Sequence, residues 1–179
     1  MNHVARVAAW VRSRAQAIVL LGAEPTEPET DYGWIEPGDP LDAVAPVWRV
    51  RRFWGKPLEQ EARACLAAGC LWNTFVLVAR VSTLLDAERE CLPALHDRLS
   101  RIGPFAGTEH ESWMTRQAYA LAPHANFSRA ILAPCPRGLV VSKLPPVTWC
   151  DWGTPERIIR SITKVGISPP WLNELNRPA

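Results

Sequence analysis

The sequence lacks any apolar run near the roughly 20 residues that a helix needs to cross a bilayer. Its opening, Met1 to Trp10, also lacks the charged, apolar and small-residue succession of a secretory leader. No membrane partner is expected, and the expected address is the cytoplasm. There is no C-x-x-C pair and no H-E-x-x-H, and His3, His96, His110 and His124 have no metal-ligand spacing, which argues against zinc. The cysteines, Cys65, Cys70, Cys91, Cys135 and Cys150, are odd in number and make a poor disulfide framework, so reduced, mostly buried thiols are expected. Lysine is scarce: Lys56, Lys143 and Lys164 are the only three among 20 basic residues. A net charge of +2 is too small to indicate a nucleic-acid partner. No internal repeat and no G-x-G-x-x-G phosphate loop occurs, the glycines Gly22, Gly33 and Gly38 being dispersed.

What is present suits a globular domain: 179 residues with 47% apolar content can bury a core. Helical spacing over Val4 to Arg14 leads into a buried-strand run, Ala17 to Leu21. Pro25 and Pro28 mark a loop, Tyr32 to Glu36 alternates as a short strand, and Pro37 to Pro40 break it. Val47 to Trp54 alternates as a strand, with a turn at Gly55 to Pro57. Leu58 to Ala68 is helical in composition and stopped by Gly69. Thr74 to Ala79 reads as a strand, and Ser82 to Glu90, Leu92 to Leu99 and Ser112 to Leu121 as helices. Leu139 to Lys143 is a further strand. Thr154 and Pro155 open a last helix to Lys164 as its N-cap and first residue. Strands alternating with helices indicate an α/β fold with a mixed sheet.

Four segments stand in a telling order: Leu20 to Gly38 (LLGAEPTEPETDYGWIEPG), Arg52 to Pro57 (RFWGKP), Leu71 to Thr74 (LWNT) and Thr148 to Arg157 (TWCDWGTPER). Together they resemble the sugar-1-phosphate nucleotidyltransferases of the mannose-1-phosphate guanylyltransferase type. There the corresponding pieces read G-x-x-P-x-x-P-E-T-x-Y-G-Y-I, F-x-E-K-P, W-N-S-G and W-x-D-x-G-S. The resemblance implies an incomplete Rossmann-like, GT-A-like domain over residues 1–165, with a mixed sheet flanked by helices and a tail over residues 166–179.

The resemblance also implies roles. Gly33, without a side chain, would let the backbone approach the hexose. Lys56 would bind the sugar phosphate and follow its charge during transfer, and Asn73 would contact sugar hydroxyls. Asp151 would ligate magnesium, a hard cation suited to carboxylate oxygen. Lys56 and Asp151 are thus the expected catalytic residues. The expected partners are a sugar 1-phosphate and a nucleoside triphosphate, GTP favoured, with a homo-oligomer or a complete paralogue as protein partner.

Two departures accompany the resemblance. The family's glutamate before the lysine is Gly55, which removes a carboxylate that would accept hydrogen bonds from sugar hydroxyls. The glycine-rich nucleotide loop and the first metal-binding aspartate of the family lie upstream of anything matching Met1 onward. The expectation is a chain inactive or incomplete by itself, with sheet strands left unpaired. The alternative is a non-catalytic sugar-phosphate-binding or regulatory remnant. The tryptophans at 34, 48, 54, 72, 113, 149 and 152 are expected in the core and in pocket walls.

Overall fold

A computed structural model describes residues 2–42, 46–134 and 138–175, and the chain divides into two compact units, Met1–Pro145 and Pro146–Ala179. The first holds the five strands found among the described residues. Helix α1, His3–Arg12, starts where the Asn2 side chain accepts from the Ala5 N–H at 2.8 Å, and it stops at Ser13, whose hydroxyl donates to the Trp10 carbonyl. Its apolar side, Val7, Trp10 and Val11, packs with Val19, Leu21, Val47 and Val140 against one face of the sheet.

The strands are β1 (Ile18–Ala23), β2 (Gly33–Pro40), β3 (Val47–Gly55), β4 (Leu71–Ala79) and β5 (Leu139–Lys143). They pair in the order β1-β4-β2-β3-β5 and close, β1 lying parallel to β5 while the remaining pairs are antiparallel. The mixed sheet is as expected. The unpaired strands are not found: each of the five has a strand neighbour on both sides, so closure removes the open edges.

The second face of the sheet carries the larger core: Leu20, Ile35, Phe53, Leu71, Leu139 and Val141 among others. Helices α2 (Glu59–Ala67), α3 (Val81–Cys91), α4 (Pro93–Ser100) and α5 (Glu111–Leu121) fall within two residues of the sequence expectations. Gly69 ends α2 at φ +73°, a conformation that an L side chain would strain. Leu84 and Ala87 of α3 pack against the larger core.

Further expectations need correction. β2 does not stop at Glu36 but runs through Pro37 to Pro40, because irregularities in its pairing with β3 accommodate prolines that cannot donate to a ladder. β4 begins at Leu71, so Trp72 and Asn73 lie within the strand, paired to both β1 and β2. Among the thiols, Cys65 and Cys70 are buried as expected, but Cys91 is disulfide-bonded; an odd count excludes complete pairing, not a single bridge. Burial pushes the Cys70 thiol up to about 12, with the adjacent Cys65 adding to the shift. Cys135 lies outside the described residues. A turn of π-helix, Ser128–Leu132, was not anticipated. Of the tryptophans, Trp34 and Trp72 are core, whereas Trp113 is exposed.

The second unit contains α6, Pro155–Lys164, whose N-cap Thr154 accepts from the Arg157 N–H as the sequence indicated, and α7, Pro170–Leu175. Trp149, Trp152, Ile158, Ile162 and Trp171 help line an apolar cavity of about 520 Å³ in this unit.

Candidate functional site

In the first unit, strand register assembles residues that are far apart in sequence. Gly33 of β2 pairs with Gly55 of β3 on one side and with Asn73 of β4 on the other, and Asn73 pairs in turn with Gly22 of β1. Each of the four stands two positions from a core residue of the same strand: Leu20, Ile35, Phe53 and Leu71. Since side chains alternate across a sheet, all four face the side of the larger core, at its end. Three are glycine, so Asn73 carries the one side chain in the row.

The opposite side is braced by aromatic rings. Trp72 meets Tyr32 edge-to-face at 5.1 Å between centroids, and Trp34 at 6.1 Å. Trp34 also fixes the Pro28 to Asp31 loop by donating from its indole N–H to the Glu29 carbonyl at 2.8 Å. The Y-G-W segment therefore cannot shift without disturbing buried rings.

Gly33 has no room to spare. A Cβ there would lie 3.1 Å from Phe53 Cζ and 3.3 Å from Asn73 Cβ. Asn73 is only 7% exposed, and its Oδ1 accepts from the Phe75 N–H at 3.1 Å. That bond turns the chain at Phe75, which takes φ +60°. Asn73 keeps Nδ2 as a donor and the second lone pair of Oδ1 as an acceptor. Phe75 occupies the position of the glycine in the family's W-N-S-G pattern, which accounts for a left-handed backbone here.

Lys56, just beyond Gly55, is exposed and also left-handed, at φ +58°. The third such non-glycine residue among those described is Trp152, at φ +54°, next to Asp151. All three lie in or beside the motif segments. Strain of this kind costs roughly 1–3 kcal/mol and persists only where surrounding structure enforces it.

One neighbour had no counterpart in the sequence reading. Over Gly55, where the family has glutamate, lies the stem of Arg129: a Cβ at position 55 would stand 3.9 Å from Arg129 Cγ and 3.9 Å from Phe53 Cε1. Arg129 belongs to the π-helical turn, which is anchored by the buried Ile131 and Leu132. Phe127, just before it, meets Phe75 edge-to-face at 6.0 Å. No periodicity or motif in the sequence marks Arg129. The glycine row, by contrast, could have been found by aligning the strands on their core residues.

Asp151 lies in the second unit. Its Oδ1 accepts from the Gly153 N–H at 2.9 Å, and Arg157 Nη1 lies 3.4 Å from Oδ2. A magnesium ion bound mainly by phosphate oxygens and water requires only one or two carboxylates. Asp151 fits as one such ligand, although Arg157 already competes for it. Among the described residues, no group of three His, Cys, Asp or Glu side chains could hold a metal.

Several known proteins are similar to this chain. The xanthan biosynthesis protein XanB of Xanthomonas campestris pv. campestris (strain B100) is 31% identical over 128 residues, which is 69% of this chain and 26% of that protein. The mannose-1-phosphate guanylyltransferase of Klebsiella pneumoniae is 37% identical over 70 residues, 38% of this chain and 15% of that protein. A Thermus thermophilus structure described as mannose-1-phosphate geranyltransferase superposes with a TM-score of 0.70 at 26% identity, covering 94% of this chain and 46% of that one. The chain thus spans about a quarter of the length of its XanB relative. The family model described as nucleotidyl transferase matches residues 2–166, and the chain accordingly belongs to the sugar-1-phosphate nucleotidyltransferase family.

Proposed function

We propose that the first unit is the sugar-phosphate half of a nucleotidyl transfer site, with mannose 1-phosphate as the sugar substrate and GTP as the nucleotide. The observation that carries this reading is the adjacency of Asn73, Gly33 and Gly55 on three paired strands, a floor with one amide side chain and with Lys56 just beyond Gly55; Gly22, the fourth of the row, lies under Leu71 and Val141. A hexose can lie against bare backbone there, held by peptide groups and by Asn73 Nδ2, while Lys56 receives the phosphate. In the reaction, a phosphate oxygen of the sugar 1-phosphate attacks the α-phosphorus of the nucleotide. The bond to the β-phosphate breaks, and pyrophosphate leaves. No protein nucleophile is needed, so the residues contribute position and charge.

Lys56 follows the phosphoryl charge; Asp151, in the second unit, would serve as a ligand for magnesium, whose chemistry would be neutralisation of phosphate charge. Asp151 must first leave Arg157. Both that pairing and the loss of glutamate at Gly55 favour a second reading, a sugar-phosphate-binding protein without turnover that acts beside a complete paralogue.

Binding of mannose 1-phosphate by calorimetry, and GDP-mannose formation with GTP and magnesium, separate the two. Binding with product that Lys56→Ala and Asp151→Asn both abolish supports the transferase. Binding without product supports the second reading, and absence of binding removes both.

A further inference from the structure

Resting on the reading of the glycine row as a sugar-phosphate site, we infer that Arg129 is a substrate-contact residue of that site, and that it makes recognition depend on the phosphate more than on the configuration of the sugar. Three observations converge. Gly55 leaves open the space over which the Arg129 stem lies, 3.9 Å from the position of a Cβ. The turn carrying Arg129 is fixed, because Leu132 is 1% exposed in the larger core and Phe127 packs both on that core and against Phe75. The charged side chains that the fold attaches to this end of the floor are then both cations, Lys56 next to Gly55 and Arg129 with its stem over it, and Asn73 adds an amide but no charge.

The chemistry follows from that set. Discrimination between hexose epimers is strongest when a site both donates to and accepts from particular hydroxyls, since a misplaced hydroxyl then leaves a buried partner unsatisfied. A carboxylate would be a strong acceptor, and at position 55 there is none. Donors serve phosphate oxygens best, and a guanidinium can engage two at once. Lys56 and Arg129 together suit a phosphomonoester dianion, while the floor has only neutral amide groups, and no carboxylate, with which to enforce one orientation of a hydroxyl. The ligand class is therefore the hexose 1-phosphates, mannose 1-phosphate among them, rather than one epimer.

The test is calorimetric titration of the whole chain with mannose 1-phosphate, glucose 1-phosphate and inorganic phosphate, repeated for Arg129→Ala and Gly55→Glu. The two sugar phosphates should bind within about threefold of each other. Loss of one charge-assisted contact in Arg129→Ala should weaken both, and phosphate too, by about tenfold. Gly55→Glu should separate the two epimers. Arg129 is exposed, so its alanine variant should keep the thermal midpoint of the parent, which shows that the loss is one of contact. If the sugar phosphates bind but Arg129→Ala changes neither, or if the parent prefers one epimer by more than about tenfold, the inference fails while the sugar-phosphate site stands. If no sugar 1-phosphate binds, the site itself fails and the inference falls with it.

Discussion

The glycine row and the Asp151 segment are shaped by different means. In the row, four strands bring together residues between 11 and 51 positions apart, and each position is set by pairing and by a shared core. In the Asp151 segment, the partners include Gly153 and Arg157, two and six residues along the chain. Geometry fixed by register is stiff, because moving one residue moves a strand. Geometry fixed by neighbours can yield, because a side chain can rotate alone.

Two glycines put this contrast to the sharpest test. A Cβ at Gly22 would lie 2.7 Å from Leu71 Cδ1, 2.9 Å from Leu71 Cβ and 3.1 Å from Val141 Cγ2. A Cβ at Gly153 would lie 2.8 Å from Asp151 Oδ2, almost as close. Gly22→Ala meets packed core and should cost about 2–3 kcal/mol, the upper range for overpacking. Gly153→Ala meets the end of a partly exposed carboxylate and should cost under about 1 kcal/mol, since Asp151 can swing away. Urea unfolding midpoints measure both, and equal costs would refute the difference in stiffness.

Lys56 tests whether strain is held for binding. Its left-handed backbone costs about 1–2 kcal/mol, of which a glycine would recover part while losing roughly 0.5–1 kcal/mol to unfolded-state freedom. Lys56→Gly should therefore stabilise the fold by about 0.5 kcal/mol and, on the proposed function, weaken sugar-phosphate binding by about tenfold. Phe75→Gly relieves similar strain but forfeits the ring contact with Phe127, worth about 0.5–1.5 kcal/mol, so it should be near neutral. A destabilised Lys56→Gly would mean that the left-handed turn is not strained.

Much of the fold was legible in the sequence for reasons that also separate the two regions. β5 and α6 have the limits that local pattern indicated, α6 because Thr154 and Pro155 are start signals in themselves. The extension of β2 across Pro37 and the entry of Trp72 and Asn73 into β4 were hidden, since pairing partners override the local bias of proline and asparagine. Closure of the sheet was hidden for the same reason. Of the residues singled out beforehand, Gly33, Lys56 and Asn73 fall along one row or at its end, while Asp151 belongs to the second unit. Arg129 was invisible because its place depends on a π-helical turn seated by two buried residues, and a side chain over a glycine leaves no mark on sequence spacing.

The smallest effect concerns the junction of α1 with β5, and it follows from who donates to whom. Ser142 is fully buried, and its hydroxyl donates to the Pro46 carbonyl at 3.0 Å. Its one proton is thereby committed, so the 3.1 Å contact with His3 Nε2 requires the imidazole to donate. His3 Nδ1 is left as an acceptor, 3.5 Å from Arg6 Nη2. Burial first, and then the Arg6 charge, hold the His3 pKa below its ordinary 6.5. The unfolded chain therefore binds this proton more readily than the folded one. The contribution of His3 to stability should be complete above pH 6.5 and be lost as the pH falls through the lower folded value. His3→Gln can still donate to Ser142 but does not titrate. Relative to it, the parent should lose ground in urea midpoint between about pH 7.5 and pH 5. A constant difference across that range would place His3 in solvent, and would leave the start of α1 as loosely determined as the Asp151 segment.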